Sequence, residues 1–225
     1  MKHQTHNPSN LNLDRFLALF AILLAMVTPK GLRADEGKLY TAEKMSSSTI
    51  ACVTQDSYGF IWVGTEYGLN RFDGYQFVKY FTDVHDSTSL VSNEVTAFLL
   101  DRHQQLWVGC RKGIARYDHA TDAFHRYQFP DGVEPRVVSM VEDAKGNIFV
   151  GTSGYGLYVI EAGKQGVDSA VALRQAYTND FIGSVFIDDR GDLWCTSLGS
   201  KLTRISVNGL QPTAYVCGKR SGVFY

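Results

Sequence analysis

Residues 53–73 read VTQDSYGFIWVGTEYGLNRFD, and the chain writes this stretch four times. The second copy is residues 98–118, FLLDRHQQLWVGCRKGIARYD. The third is residues 140–161, MVEDAKGNIFVGTSGYGLYVIE, with one residue added, and the fourth is residues 185–206, VFIDDRGDLWCTSLGSKLTRIS. The aspartates Asp56, Asp101, Asp143 and Asp188 are spaced by 45, 42 and 45 residues, each six residues before an aromatic: Trp62, Trp107, Phe149 and Trp194. All three tryptophans of the chain thus share one phase of one repeat. A period in the low forties is the length of one four-stranded propeller blade.

Each copy divides into four runs. The first runs (50–56, 95–101, 137–143 and 182–188) begin on a β-branched residue and end on the aspartate, as short buried strands do. Turns DSYG, DRHQ, DAKG and DDRG follow. There the aspartate oxygen bonds backbone two residues on, and the closing glycine accepts a positive φ. Gln104 takes that last place in the second copy, at about 1 kcal/mol or with another turn type. The second runs (FIWVGT, LWVG, IFVGT, LWCT) lead to turns around Gly68, Gly113, Gly156 and Gly199. The third runs are LNRFD, IARYD, LYVIE and LTRIS, and the fourth are 75–81, 123–129, 171–177 and 210–216. Four antiparallel strands in a meander make one blade. Trp62, Trp107, Phe149 and Trp194 are expected to fill the wedge between blades. Gly64, Gly109 and Gly151 are expected to let the next element approach closely.

The fold expected is all-β: a propeller of about four blades of four antiparallel strands, an incomplete ring and part of a larger one. Its divisions are a signal peptide over 1–34, a lead-in over 35–48, and blades over 49–93, 94–135, 136–180 and 181–220. A fifth blade is expected to begin at 221–225, since first runs starting at 50, 95, 137 and 182 place the next near 224–227. On that count the chain reads as the N-terminal part of a longer protein. The signal reading rests on Lys2 and Arg15 around a polar start, then twelve apolar residues, FLALFAILLAMV. As a helix these would reach about 18 Å, short of a hydrocarbon core of about 30 Å. Cleavage is expected after Ala34, with a signal anchor as the other reading.

The net charge of -1 gives no reason to expect nucleic acid or an anionic membrane surface as partner. Cys52, Cys110, Cys195 and Cys217 differ in blade and in phase, which favours free, small apolar thiols over a disulfide. No C-x-x-C spacing is present, and the H-x-x-H at His3 and His6 falls in the signal segment, so no metal or cofactor is expected. The four aspartates are each accounted for by their own turn, and His85, His103, His119 and His125 read as solvated loop or strand-edge side chains. Thr49, Glu94, Arg136 and Phe181 open the innermost strands; one lone glutamate offers no acid/base pair there.

The block QDSYGFIWVGTEYGLNRFDGYQFVKY resembles the two-component regulator propeller repeat. Asp56, Gly59, Trp62, Gly64, Thr65, Gly68, Leu69, Arg71, Phe72 and Asp73 carry the likeness. In the second copy Asp101, Trp107, Gly109, Gly113, Ile114, Arg116, Tyr117 and Asp118 do so. The third keeps Asp143, Gly146, Gly151, Thr152, Gly156 and Leu157 with Phe149 for tryptophan. The fourth keeps Asp188, Gly191 and Trp194 but has Thr196 for glycine. The polar connector 83–93, DVHDSTSLVSN, is also similar to the family's.

The resemblance implies the periplasmic sensor region of a hybrid two-component system of Bacteroidota type, detecting oligosaccharides released from polysaccharides. It implies a homodimer in the full receptor, and a Tyr-rich domain, a membrane span and a histidine kinase downstream. This chain would then be non-catalytic and meet the membrane only through that span. Related propellers precede diguanylate cyclases, and propeller lyases or glycosidases form the enzyme alternative; a pure interaction scaffold is the third. Ligand contact is expected on the face where the second-to-third-strand turns emerge, at Glu66, Tyr67, Arg111, Lys112 and Tyr155. Aromatic faces stack on sugar rings there, and cations pair with carboxylates or sulfates.

Overall fold

The computed structural model describes residues 44–163, 174–177, 181–197, 201–206 and 211–216. Contacts divide the chain into Met1–Leu39 and Tyr40–Tyr225, and all described residues lie in the second unit. The signal over 1–34, the start of the lead-in, Cys217 and the fifth-blade segment 221–225 lie outside the described residues.

The described residues form sixteen strands in four separate meanders. Blade 1 holds β1 (Ile50–Gln55), β2 (Ile61–Thr65), β3 (Gly68–Phe72) and β4 (Phe77–Tyr80). Blade 2 holds β5 (Val95–Leu100), β6 (Leu106–Cys110), β7 (Gly113–Asp118) and β8 (Ala123–Tyr127). A single 3-10 turn, Pro130–Gly132, leads on to blade 3, with β9 (Arg136–Glu142), β10 (Ile148–Ser153), β11 (Gly156–Ile160) and β12 (Arg174–Tyr177). Blade 4 holds β13 (Ile182–Ile187), β14 (Leu193–Ser197), β15 (Lys201–Ser206) and β16 (Gln211–Val216). Within each blade, strands pair antiparallel in chain order. The first strands β1, β5, β9 and β13 follow one another from blade to blade.

The repeated aspartate sits just past each first strand and holds the turn with both oxygens. Oδ1 accepts the backbone N–H two residues on (Tyr58, His103, Lys145, Arg190; 2.8–3.0 Å). It also accepts the one four residues on (Phe60, Gln105, Asn147, Asp192; 2.8–3.0 Å). Oδ2 accepts the indole N–H of the tryptophan six residues on: Trp62 at 2.7 Å, Trp107 at 3.0 Å and Trp194 at 2.8 Å. In blade 3, where Phe149 has no N–H to give, the side-chain amide of Asn147 donates to Asp143 Oδ2 at 2.7 Å. The six-residue spacing is therefore a hydrogen bond that lets a large ring with a polar edge be buried without an orphaned donor. Gln104 adopts the same turn as its glycine counterparts, with φ 60° beside 86°, 88° and 83° at Gly59, Gly146 and Gly191. It carries a backbone cost of about 1 kcal/mol that they do not.

Three apolar clusters are the three seams. Trp62, Leu69, Val108, Tyr117 and Phe124 fill the first, and Trp107, Tyr127, Met140, Val150 and Tyr158 the second. Phe149, Leu157, Ile182, Val185 and Ile205 fill the third. Strands β6 and β10 are buried at successive positions because a blade covers each face. In β14 burial alternates, as it does when one face only is covered. The outer faces of the end blades are correspondingly open, with Val53 65% and Phe186 62% exposed.

The glycines after the aromatic work as expected. A Cβ on Gly109 would lie 2.6 Å from Val137 Cγ1 of blade 3, and one on Gly151 2.7 Å from Ile182 Cγ2 of blade 4. Thr196 stands at this phase in blade 4 and is exposed. The Trp–Arg pairing of the motif is also explained. Arg71, Arg116 and Arg204 lie directly across the ladder from Trp62, Trp107 and Trp194. Blade 3 pairs Phe149 with Val159 instead, losing both members together.

Candidate functional site: the upper rim

The turns between second and third strands emerge on the face that carries the links between blades. Glu66 N–H donates to Thr49 O (3.1 Å), Gly68 N–H to Asn93 O (2.6 Å) and Arg111 N–H to Glu94 O (2.9 Å). The Thr65 hydroxyl tightens the first turn, donating to Gly68 O at 2.8 Å and accepting from Tyr67 N–H at 3.2 Å. Thr152 repeats the bond to Gly156 O at 2.6 Å. The tips carrying Glu66, Tyr67, Arg111, Lys112 and Tyr155 are thereby fixed while their side chains are left outward.

These five residues divide by blade. Glu66 and Tyr67 share one tip, where the Tyr67 ring is 60% exposed and tilts against Phe81 at 5.8 Å between centroids. Arg111 and Lys112 share the next. Tyr155 stands on the blade 3 tip, beside Gly154 with φ 93°. The connector 83–93 meets the rim only at its ends, with Thr82 N–H donating to Asn93 Oδ1 at 2.7 Å. Its middle folds against the outer strand of blade 2. Phe124 N–H bonds Thr88 O there, and the Arg126 guanidinium binds the carbonyls of Asp86, Ser89 and Leu90.

The rim's charged centre is Glu94. Arg111 Nη1 donates to its Oε2 at 3.1 Å and Arg136 Nη1 to its Oε1. Partial burial works against the charged form, but the two guanidinium groups hold the Glu94 carboxyl below its ordinary range. Lys112 Nζ lies 3.7 Å from Glu134 Oε2 at the edge of a cavity of about 340 Å³, lined also by Val91, Arg126, Tyr127 and Phe129. Three cations thus face two carboxylates across the tips of blades 2 and 3. Sequence reasoning named Arg111 and Lys112 but left Glu94 and Arg136 unpaired. Both hold the opening of a first strand in adjacent copies, and that shared phase was the available signal.

His119 stands at the strand edge, directly after β7, and is half-buried: its side chain is 20% exposed, and its ring lies 4.3 Å from Tyr58 and 4.7 Å from Tyr117. Burial lowers its pKa, opposed by the carboxylate of Asp56, whose Oδ2 lies 3.5 Å from Nε2. Beside it, Tyr80 and Tyr117 both donate to Asp122 Oδ1, and Arg71 Nη1 reaches the same oxygen at 3.2 Å. Nothing in the sequence pattern marks this network, since it joins blade 1 to blade 2 across a seam. Cys52, Cys110 and Cys195 are free thiols, and burial pushes Cys110 up to about 12. Among the described residues no cluster of three metal-ligating side chains occurs.

With this geometry in place, residues 44–67 match the family Two component regulator propeller. A stretch of 81 residues, 34% of the chain, is 35% identical to Histidine kinase P4 of Formosa agariphila and covers 6% of that protein. The extracellular domain of a putative hybrid two-component system from B. thetaiotaomicron has a similar structure. Its TM-score is 0.68 at 21% identity, over 80% of this chain and 26% of that one. A virginiamycin B lyase from Staphylococcus aureus also shares the fold, with TM-score 0.60 at 13% identity over 82% of this chain and 60% of that one. The chain therefore spans a small part of the kinase it resembles and about a quarter of the sensor structure. Residues 44–67 thus match a two-component regulator propeller repeat, and the four blades share the propeller fold of these structures.

Proposed function

We propose that this chain is the ligand-sensing part of an exported, periplasmic receptor of the hybrid two-component type, and that it receives an oligosaccharide released from a polysaccharide. The likeness to a histidine kinase sequence and to an extracellular sensor structure supports the reading. The observation that carries it is the pair of guanidinium groups closed on Glu94, from blade 2 and blade 3. An anionic sugar substituent competes with Glu94 for Arg111 and Arg136, because a bidentate guanidinium–carboxylate or –sulfate pair is a strong charge-assisted contact. Lys112 extends the same field, and Tyr67 with Phe81 offers ring faces for stacking. A ligand held this way bridges two blades. In a receptor that pairs two such propellers and continues through a membrane span to a kinase, that bridging would change output; a diguanylate cyclase is the alternative output.

The test is a melting-temperature screen of the chain against fractionated polysaccharide digests, with product analysis of each mixture. A ligand at about 100 times its Kd stabilises by about 2.7 kcal/mol, a rise of about 5–10 °C at this size. Arg111→Ala should abolish that shift. New product would instead favour a lyase or glycosidase, and no shift from any digest would favour a protein-interaction scaffold.

A further inference from the structure

The geometry points to a second binding site, for an uncharged hexose ring, on the opposite face at the seam of blades 1 and 2. It rests on the saccharide-sensing reading above. A cavity of about 350 Å³ opens there between the Ser57–Tyr58 turn of blade 1 and the blade 2 residues Gln104, Gln105, Arg116 and His119. That volume lies at the small end of the range for ligand pockets, about 300–1,000 Å³, and suits a single ring.

The cavity has an identifiable origin in the repeat. At the next seam Arg102, one residue past Asp101, spans the gap. Its Nε donates to Glu142 Oε1 at 2.7 Å, Nη1 to Ala144 O at 3.0 Å and Nη2 to Asp143 O. Ser57 stands at the same phase in blade 1 and is too short to reach across, so this seam stays open.

The groups that line the opening are those a sugar requires. Gln104 presents an amide from a left-handed backbone where its three counterparts are glycine. Holding a side chain there against its own backbone preference is a feature that clusters at ligand sites. Gln105 Oε1 accepts from Arg116 Nη1 at 3.2 Å, which aligns an amide and a guanidinium as a planar set of donors toward vicinal hydroxyls. Tyr58 is 68% exposed with one face backed by His119, which leaves the other free for the C–H face of a pyranose. His119 contributes its ring as that backing, since its Nε2 is buried 3.5 Å from Asp56 Oδ2. Charge argues for a neutral ring: Arg116 and Asp118 both line the opening, so it holds no surplus guanidinium or carboxylate.

The test is saturation-transfer NMR and titration of the whole chain with methyl glucoside, galactoside and mannoside, in wild type and three variants. Gln104→Gly removes the amide at a position where glycine is at ease, so the fold is kept. Ser57→Arg puts a long guanidinium side chain into the opening in place of a short hydroxyl. Lys112→Ala alters the upper rim alone. The expected result is millimolar binding of one hexoside, weakened at least about tenfold by the first two variants and unchanged by the third. Binding that survives Gln104→Gly and Ser57→Arg, or falls only with Lys112→Ala, overturns this site while the sensing reading stands. A wild type that binds no hexoside but answers a digest at the rim does the same. Binding of neither removes both.

Discussion

Asn147→Ala isolates the device by which blade 3 does without its tryptophan. Asp143 is almost fully buried, and Oδ2 takes its bond from the Asn147 amide at 2.7 Å. Removing a hydrogen bond to a buried charged acceptor costs about 1.5–3 kcal/mol. The variant also loses the exposed bond from Ala162 N–H to Asn147 Oδ1 at 2.9 Å, worth about 0.5–1 kcal/mol. The total, about 2–4 kcal/mol, corresponds to a fall in melting temperature of about 4–16 °C for a chain of this size. Phe149→Trp supplies an indole N–H at the phase of Trp62, Trp107 and Trp194. Made alone it adds bulk against Ile182 and Val185, costing about 1–3 kcal/mol, because the native amide already serves Asp143. Made on Asn147→Ala it regains the lost bond. Urea unfolding of the four proteins closes a double-mutant cycle, with an expected favourable coupling of about 1–3 kcal/mol. Additivity within about 0.5 kcal/mol would refute the substitution of one donor for the other.

Gly109→Ala should cost about 1–3 kcal/mol in urea unfolding, because the new methyl meets the β-branched Val137 across the second seam. Stability should fall below about pH 4, the unfolded range of carboxylates. Asp188 is held below its ordinary value first by the Trp194 indole and then by backbone N–H groups. Asp122 is held down, against its burial, by the Tyr117 and Tyr80 hydroxyls and Arg71. Groups with depressed folded pKa values stabilise above the unfolded value, and that contribution disappears as pH falls through the folded one. Urea midpoints between pH 2.5 and 7 should show this, with a shallower loss in Trp194→Phe. Native-state alkylation at pH 8, mapped by mass spectrometry, should spare Cys52, Cys110 and Cys195, whose thiols burial pushes up to about 12, 12 and 11.

How far the sequence could be read follows from where each interaction closes. The Asp-to-Trp interval, the turn glycines and the glycine after each aromatic act within one blade or at a constant seam. They recur every 42 to 45 residues and are visible as a pattern. Even there, the bond from Asp56 to Trp62 shows as a spacing without its reason until coordinates show the indole N–H on Oδ2. The compensating Asn147 was hidden because it replaces a function and not a letter of the motif. The rim divided the same way: Arg111 and Lys112 followed from strand order, whereas their carboxylate partners Glu94 and Glu134 depended on how neighbouring blades meet.

By itself, then, the sequence determined the blades: four meanders, their turns, and which aromatic faces each seam. Those are set by periodicity and by hydrogen bonds that close within a few residues. Only the tertiary structure decided the pairing of Glu94 with Arg136, the burial of His119 on Asp56, and the open seam beside Ser57. Residues some 40 to 60 positions apart meet there because blades pack side by side, and a one-dimensional repeat does not say which side chains reach across.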